Sequence, residues 1–388
     1  MNSTKLADVA HVIMGQSPSG TTYNTTRTGI PLLNGPAEFG QVSPEPVQWT
    51  TEPTKIALPG DILFCVRGNT LGRQNIADQE YVIGRGLAAI RAREGKADTD
   101  YIGLWLKHKA DELLAAGNGS TFPSVSGDFL ESQKFTATPP DQQRKIAARL
   151  KAQLAEVETA RQAAQVQLSD ARLLRSRLIS ETFENLNVAP TILGEVIITI
   201  QAGKSFQTSE ILAQPDELGV LKVSAVSWSS FQPDQAKSLN DYYEPEDHHR
   251  VCKDDFIISR ANTKELVGAV VLVERDYPFR LLSDKTLRLV IDEEKADKEY
   301  LLYALRAPLA RNHIEHFATG TSDSMRNISQ GVITSIPLVL PSKPEQKDIV
   351  HKLKTKLIEI DALEQSSKAA LADIEKLPAR ILAHAFEN

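Results

Sequence analysis

Residues 142–185 contain neither glycine nor proline over more than forty positions and are crowded with Ala, Leu, Gln, Glu, Lys and Arg, the residues that lose least freedom in a helix. Unbroken, the stretch makes a rod of roughly 65 Å at about 1.5 Å per residue, against a typical helix of about 11–12 residues. Its apolar positions step by four and three through Leu150, Leu154 and Val157, then Ala164, Leu168 and Ala171, and later Leu178. That narrow stripe suits a helix lying along another long helix rather than one lying on a sheet. Arg161 and Arg175 interrupt it.

The partner lies in the same chain. Residues 345–388 align with residues 142–185 at a fixed offset of 203 without a gap. The matches include Ile146/Ile349, Leu150/Leu353, Leu154/Leu357, Leu168/Leu371, Leu174/Leu377 and Arg177/Arg380, and both end in Phe-Glu-Asn, at Phe183 and Phe386. Shared helix-forming composition explains similar residues but not an ungapped register, so this is an internal repeat. Proline breaks the symmetry at Pro378, where the first helix has Arg175. It removes a helix hydrogen bond and is expected to kink or break the last turns and dock residues 381–386 separately.

The segments before each rod repeat as well, with drifting offsets. Leu6-Ala7-Asp8-Val9 returns as Leu193-Gly194-Glu195-Val196, and Gly15-Gln16-Ser17 as Gly203-Lys204-Ser205. Arg67-Gly68-Asn69-Thr70, at the end of the strand-like run Ile62-Leu63-Phe64-Cys65-Val66, returns as Arg260-Ala261-Asn262-Thr263. Gly119-Ser120-Thr121 returns as Gly320-Thr321-Ser322. The plan is globule, rod, globule, rod, with bounds at residues 1–140, 141–187, 188–340 and 341–388. The fold class expected is α/β (mixed α+β): two globular domains and two long antiparallel helices forming a coiled coil, related by a pseudo-twofold repeat.

No run of 18 apolar residues is present, so no membrane span is expected, and the start reads as no secretory signal. Cys65 and Cys252 lie in apolar runs and are expected to be buried thiols of a reducing compartment. The expected location is therefore cytoplasmic. The net charge is −6, and no segment is strongly basic; residues 1–140, for example, carry 12 basic and 14 acidic groups. Any contact with a polyanion must use local patches, with part of the phosphate neutralisation left to a partner.

Signs of catalysis are weak. Gly203-Lys204-Ser205 resembles the end of a phosphate-binding loop, but Ile198 stands where its first glycine belongs. His313 and His316 flank Glu315 without forming a His-Glu-x-x-His pair, so a solvated helix face is expected there rather than a metal site. The pair His248-His249 sits in an acidic loop and is expected at the surface. No Asn- or Asp-Pro-Pro-Tyr stretch of an amino-methyltransferase occurs. The chain is expected to do no chemistry, and no metal site is assigned.

Binding fits better. Each half supplies the same polar set in loops: Gln16, Ser17, Arg67, Asn69, Thr70, Arg73, Ser120 and Thr121 in the first, and Lys204, Ser205, Arg260, Asn262, Thr263, Lys264, Thr321, Ser322 and Arg326 in the second. These residue types read base edges and hold phosphates. They also cap turns, and a duplicated domain repeats its structural turns too. The halves differ at Gln16/Lys204, Gly68/Ala261 and Arg73/Leu266, as expected of two readers of different half-sites.

In this order, and twice over, the motifs resemble the specificity subunit of type I restriction-modification enzymes. They are the opening of residues 6–18, Gly60-Asp61-Ile62-Leu63, the Gly-Thr-Ser and Asn-Ile-Ser of residues 320–329, and the Pro-Glu-Gln of residues 341–346 that leads into the second helix. The resemblance implies two target-recognition domains that each dock one part of a split, asymmetric site on double-stranded DNA, with the helices setting the spacing. It also implies two methyltransferase subunits that bind S-adenosylmethionine, and restriction/translocase subunits that use ATP and Mg²⁺, with no cofactor in this chain. Gly203-Lys204-Ser205-Phe206 lacks the Gln-Ser-Pro of the first half, so the second opening loop is expected to sit differently. The rival is a coiled-coil scaffold whose globules bind protein.

Overall fold

In the computed structural model, residues 3–117, 123–136, 138–227, 230–239, 244–322 and 325–387 are described. The chain divides into two units, Met1–Val166 with Ser367–Asn388, and Gln167–Ser366.

The run Ile62–Cys65 is buried at all four positions because both faces of its sheet are covered. In the first unit the strands lie in the order Ala10–Met14, Leu87–Ala92, Ile62–Cys65, Gln74–Ile76, all antiparallel. Successive side chains of a strand point to opposite faces. Ile62, Phe64, Ala88 and Ile90 therefore enter one core with Tyr101 and Trp105 of the helix Thr99–Ala116. Leu63, Cys65, Leu87 and Ala89 enter another with Leu33, Tyr81 and Ile83. Those last three belong to a five-stranded sheet ordered Tyr23–Asn24, Gln48–Thr50, Ile30–Leu33, Tyr81–Ile83, Ile56–Ala57, whose one parallel pair joins Ile30–Leu33 to Tyr81–Ile83. Burial on both faces explains why this run reads as continuously apolar rather than alternating.

The second unit repeats that order. Ile197–Ala202, Thr286–Ile291, Phe256–Ser259 and Val270–Leu272 form the four-stranded sheet. Thr208–Leu212, Ala236–Leu239, Gly219–Leu221, Tyr277–Leu281 and Arg250–Val251 form the five-stranded one, again with one parallel pair. A three-stranded piece, Ala261–Asn262, Met325–Asn327 and Thr319–Ser322, is added. Each four-stranded sheet carries an Arg–Asp ion pair, half-exposed at the arginine in the first unit and largely buried in the second. Arg91 donates to both oxygens of Asp61, at 2.8 and 2.7 Å, and Arg288 donates to Asp255 at 2.6 Å.

The first rod is one helix, Pro140–Glu184. Leu150, Ala164, Leu168 and Ala171 of its stripe are buried, and Leu154, Val157 and Leu178 are half-buried. The second is Lys343–Ile374 followed by Leu377–Glu387. The break falls just before Pro378, as the missing N–H requires, whereas Arg175 continues the first helix and pairs with Asp361 and Glu364. Within each unit the helices pair antiparallel. In the first unit, Arg149, Leu150 and Gln153 line a cleft with Arg380, Ile381 and His384, while Arg161, further along, feels Glu375. In the second, Arg175 meets Asp361 and Glu364, and Ile179 and Phe183 share a core with Leu353 and Leu357.

Two repeated devices fasten the rods. Gln143 is buried near the start of the first rod; its carbonyl accepts from Asp98 N–H at 2.9 Å and its amide donates to the Thr138 carbonyl at 2.6 Å. Gln346 does the same in the second unit, accepting from Asp297 N–H at 2.8 Å and donating to the carbonyls of Pro341 and Lys295 at 2.8 and 3.1 Å. Asp98 and Asp297 cap the following helices by accepting from Tyr101 N–H and Tyr300 N–H. At the other end, Phe386 meets Tyr101 edge-on at 5.2 Å in the first unit, and Phe183 meets Tyr300 at 5.4 Å in the second.

Two expectations need correction. Cys65 is buried but Cys252 is exposed, because the strand Arg250–Val251 ends one residue earlier and a turn through Asp254, at φ 64°, follows. His249 is buried rather than at the surface. The 3₁₀ turn Asp247–His249 tucks its ring against Phe206, 6.0 Å between centroids.

Candidate nucleic-acid interface

In the first unit the backbone gathers three loops at one end of the four-stranded sheet. Gly15 N–H and Gln16 N–H donate to the carbonyls of Leu87 and Ile83, both at 2.9 Å, which lays the opening loop against residues 84–86. Ser17 Oγ accepts from Arg85 N–H at 3.3 Å. Val66 N–H then donates to the Gly86 carbonyl at 3.0 Å, bringing in the turn that carries Arg67, Asn69 and Thr70. Arg67 bridges to Ser124, and Gly68 N–H donates to Pro123. Ser120 and Thr121 lie outside the described residues.

The turn Gly68–Thr70 depends on glycine: Gly68 and Gly72 take φ of 71° and 91°, the left-handed region that L side chains avoid. Thr70 Oγ1 lies 3.2 Å from the buried Cys65 sulfur and donates to the Arg67 carbonyl, so it props the turn from below. Gln16, Arg67, Asn69 and Arg73 are exposed; Ser17 and Thr70 are half-buried.

No acidic residue occurs in residues 15–17, 66–73 or 84–86. The arginines of this globule divide by location. Arg91 is paired with Asp61, Arg93 donates to the Ala7 carbonyl, and Arg27 lies over the Trp49 ring at 5.5 Å. Arg67, Arg73 and Arg85, all at the loop end, make no side-chain hydrogen bond or ion pair among the described residues. The chain is acidic overall, yet this surface is cationic.

The second unit builds a related end from different parts. Lys204 bridges to Ser283, and Arg260 N–H donates to the Lys285 carbonyl at 2.9 Å. Ile328 N–H donates to the Arg260 carbonyl, and Asn262 pairs with Arg326 across the added three-stranded piece. Lys204, Ser205, Lys264, Lys285 and Ser322 are exposed, while Arg260, Thr263 and Arg326 are half-buried. The Arg326 guanidinium donates to the Gly320 carbonyl at 3.2 Å. Thr321 lies in the strand Thr319–Ser322, but its side chain is outside the description. Asp284 is the acid within this set of loops.

Asn262 is set apart. It is buried, its amide donates toward the carbonyl of Val223 and the hydroxyl of Ser259, and its oxygen accepts from Thr263 N–H. Val66 and Arg260 make matching bonds, to the carbonyls of Gly86 and Lys285, so Asn262 stands where the first unit has Gly68: it lies in a strand, facing inward, and the exposed Asn69 has no asparagine opposite it.

His249 lies below this end of the second unit. Burial, the neighbouring His248, and the charges of Lys204 and Arg288 hold its pKa below the ordinary value, against an opposing pull from Glu246. His313, half-buried, bonds the Ser335 hydroxyl through Nε2 at 3.1 Å. Among the described residues no group of three or more His, Cys, Asp or Glu is placed to hold a metal, and no helix is long and apolar enough to cross a membrane.

Sequence reading alone did not single out Arg85 or Lys285. The available signal was the Gly84-Arg85-Gly86 triplet directly before an apolar run.

Residues 1–167 match the family model described as "Type I restriction modification DNA specificity domain". The type I restriction enzyme MjaX specificity subunit of Methanocaldococcus jannaschii is 40% identical over 141 residues, 36% of this chain and 33% of that protein. Its MjaVIII counterpart from the same organism is 23% identical over 339 residues, 83% of this chain and 77% of that protein. The match thus spans about a third of the length of the first of these relatives. A solved chain from work on complex assembly and conformational transition of a type I restriction-modification system superposes with a TM-score of 0.78 at 17% identity, covering 99% of this chain and 97% of that one. At that identity the likeness is one of fold.

Proposed function

We propose, from the match of residues 1–167 to the type I restriction modification DNA specificity domain model, that the chain is the subunit that gives a restriction-modification complex its DNA target. Each unit reads one half of a bipartite, asymmetric duplex site, and the two long helices set the spacing and dock two methyltransferase subunits and, through them, the restriction/translocase subunits. The chain itself is non-catalytic and cofactor-free; S-adenosylmethionine belongs to the methyltransferase partners, and ATP with Mg²⁺ to the restriction partners. It acts in the cytoplasm.

The observation that carries this reading is the cluster Arg67, Arg73 and Arg85. These are three cations without a carboxylate partner among the described residues, beside the amide of Gln16, on an acidic chain. A surface that binds protein has no need to concentrate its unpaired cations at one loop end, whereas a duplex presents phosphates to such a surface.

The test is duplex selection from a randomised library by the full chain with its methyltransferase partner, followed by titration of the selected site with salt. Affinity should fall steeply with salt, and Arg67→Ala with Arg73→Ala should reduce the slope of log K against log salt by roughly 2, about 0.9 per phosphate lost. Selection of no sequence, or affinity indifferent to salt, favours the protein-binding scaffold instead.

A further inference from the structure

The triplet Gly84-Arg85-Gly86 is held more tightly than a surface turn needs. Gly84 N–H donates to the Leu33 carbonyl at 2.8 Å, Arg85 N–H to Ser17 Oγ, and Leu87 N–H back to the Gly84 carbonyl at 3.0 Å; the Gly86 carbonyl accepts from Val66. The turn is thereby tied to three segments: the five-stranded sheet, the opening loop and the Arg67 loop.

Gly86 is required by space, and Gly84 is tightly approached by a side chain. A Cβ on Gly86 would lie 2.5 Å from the Asn34 carbonyl oxygen, and one on Gly84 would lie 2.8 Å from Asn34 Oδ1. One on Gly15, across the turn, would lie 2.2 Å from the Gly84 carbonyl oxygen. Three backbones are packed together so closely that only one side chain emerges from the triplet. That side chain is the exposed Arg85, whose guanidinium has no partner among the described residues.

We propose that Arg85 is the base reader of the first unit, that it recognises a guanine through its O6 and N7, and that the glycine-packed turn exists to aim it. This rests on the DNA-recognition reading above and deepens it. A guanidinium makes a two-bond contact to guanine in the major groove, and a rigid mount reduces the ordering cost of that contact. Arg67 and Arg73 flank it from a separate turn and hold phosphates, so they fix position without reading sequence.

The second unit lacks this mount. Its equivalent turn is Ser283-Asp284-Lys285, with no glycine. The bond from Arg260 N–H to the Lys285 carbonyl is retained, as is the close approach of the opening loop, where a Cβ on Gly203 would lie 2.1 Å from the Leu282 carbonyl oxygen. Lys285 is exposed beside Asp284 and acts there as a phosphate contact.

The test uses the full chain with its methyltransferase partner and a randomised duplex library. Arg85→Ala should erase the preference for a G·C pair at one position of one half-site, a discrimination of roughly 5- to 150-fold, and leave the other half-site unchanged. Gly86→Ala, which keeps the arginine but displaces the turn, should blur the same position; its melting curve separates a displaced turn from an unfolded unit. Lys285→Ala should lower affinity about equally for all sequences. If wild type selects a bipartite site and Arg85→Ala leaves every position as sharp, or weakens all sequences alike, Arg85 is not the reader. If wild type selects no site at all, the DNA-recognition reading itself fails.

Discussion

Replacing Gln143 by Ala should unclip the first rod from its own unit, and the structure sets the cost. Gln143 is 1% exposed, its carbonyl accepts from Asp98 N–H at 2.9 Å, and its amide donates to the Thr138 carbonyl at 2.6 Å, with a long contact of 3.5 Å to Lys96. Truncation leaves one buried donor and one buried acceptor without partners, each worth about 1–3 kcal/mol. The space opened can admit a water that bonds some of these groups, which places the loss in the lower half of that sum, about 2–4 kcal/mol. For a unit of this size that corresponds to a fall in melting temperature of about 5–15 °C. Differential scanning calorimetry of the full chain reads it directly. Gln346→Ala, which removes three bonds of 2.8–3.1 Å, should cost at least as much in the second unit. A shift below about 1 °C in Gln143→Ala would refute the clip, since no buried pair of polar groups can be orphaned so cheaply.

Arg175→Pro should break the continuous first helix and cost about 3 kcal/mol or more, beyond the loss of its contacts to Asp361 and Glu364; urea unfolding with helix content as the readout measures it. Phe183→Ala should cost about 3–5 kcal/mol because the ring is buried against Tyr300, and Phe386→Ala less because that ring is only half-buried. His249 has a depressed pKa in the folded chain, so the unfolded chain takes up the proton first. Its contribution to stability should be complete above pH about 6.5 and decline as pH falls through that value toward the folded pKa, and His249→Gln should flatten this part of a pH–melting profile. A thiol reagent should label Cys252 in the folded protein and Cys65 only after unfolding. The rate at Cys252 should climb with pH up to and past the ordinary thiol range, because burial and Asp255 push its pKa up.

The rods, their stripe and the proline break were legible in sequence because helix periodicity, register and a missing N–H act locally. The buried run Ile62–Cys65 was legible for the same reason. Gln143 and Gln346 were visible only as matched letters. A glutamine in a polar helix reads as surface, and nothing local says that a neighbouring helix cap will need its carbonyl. Asn69 and Asn262 looked interchangeable in aligned loops, but the matching bonds of Val66 and Arg260 put Asn262 opposite Gly68, so the two asparagines do not share a place in the fold. Arg85 escaped notice because its significance lies in what surrounds the triplet: strand ends from distant parts of the chain that leave no room for a Cβ.

The helix Leu377–Glu387 belongs to the same unit as Met1–Val166, while Gln167–Ser366 is contiguous. On a ribosome that arrangement inverts the order of completion. The second unit has all its residues as soon as position 366 emerges, whereas Tyr101 and Trp105 of the first must wait for Leu382 and Phe386 to cover them. At about 5–20 residues per second, the roughly 200 residues in between impose a delay on the order of 10–40 s. During that interval the first-made half presents an uncovered aromatic face. Early termination anywhere in the second rod would leave it uncovered for good, so an incomplete chain should be open to chaperones and proteases at its beginning rather than at its broken end.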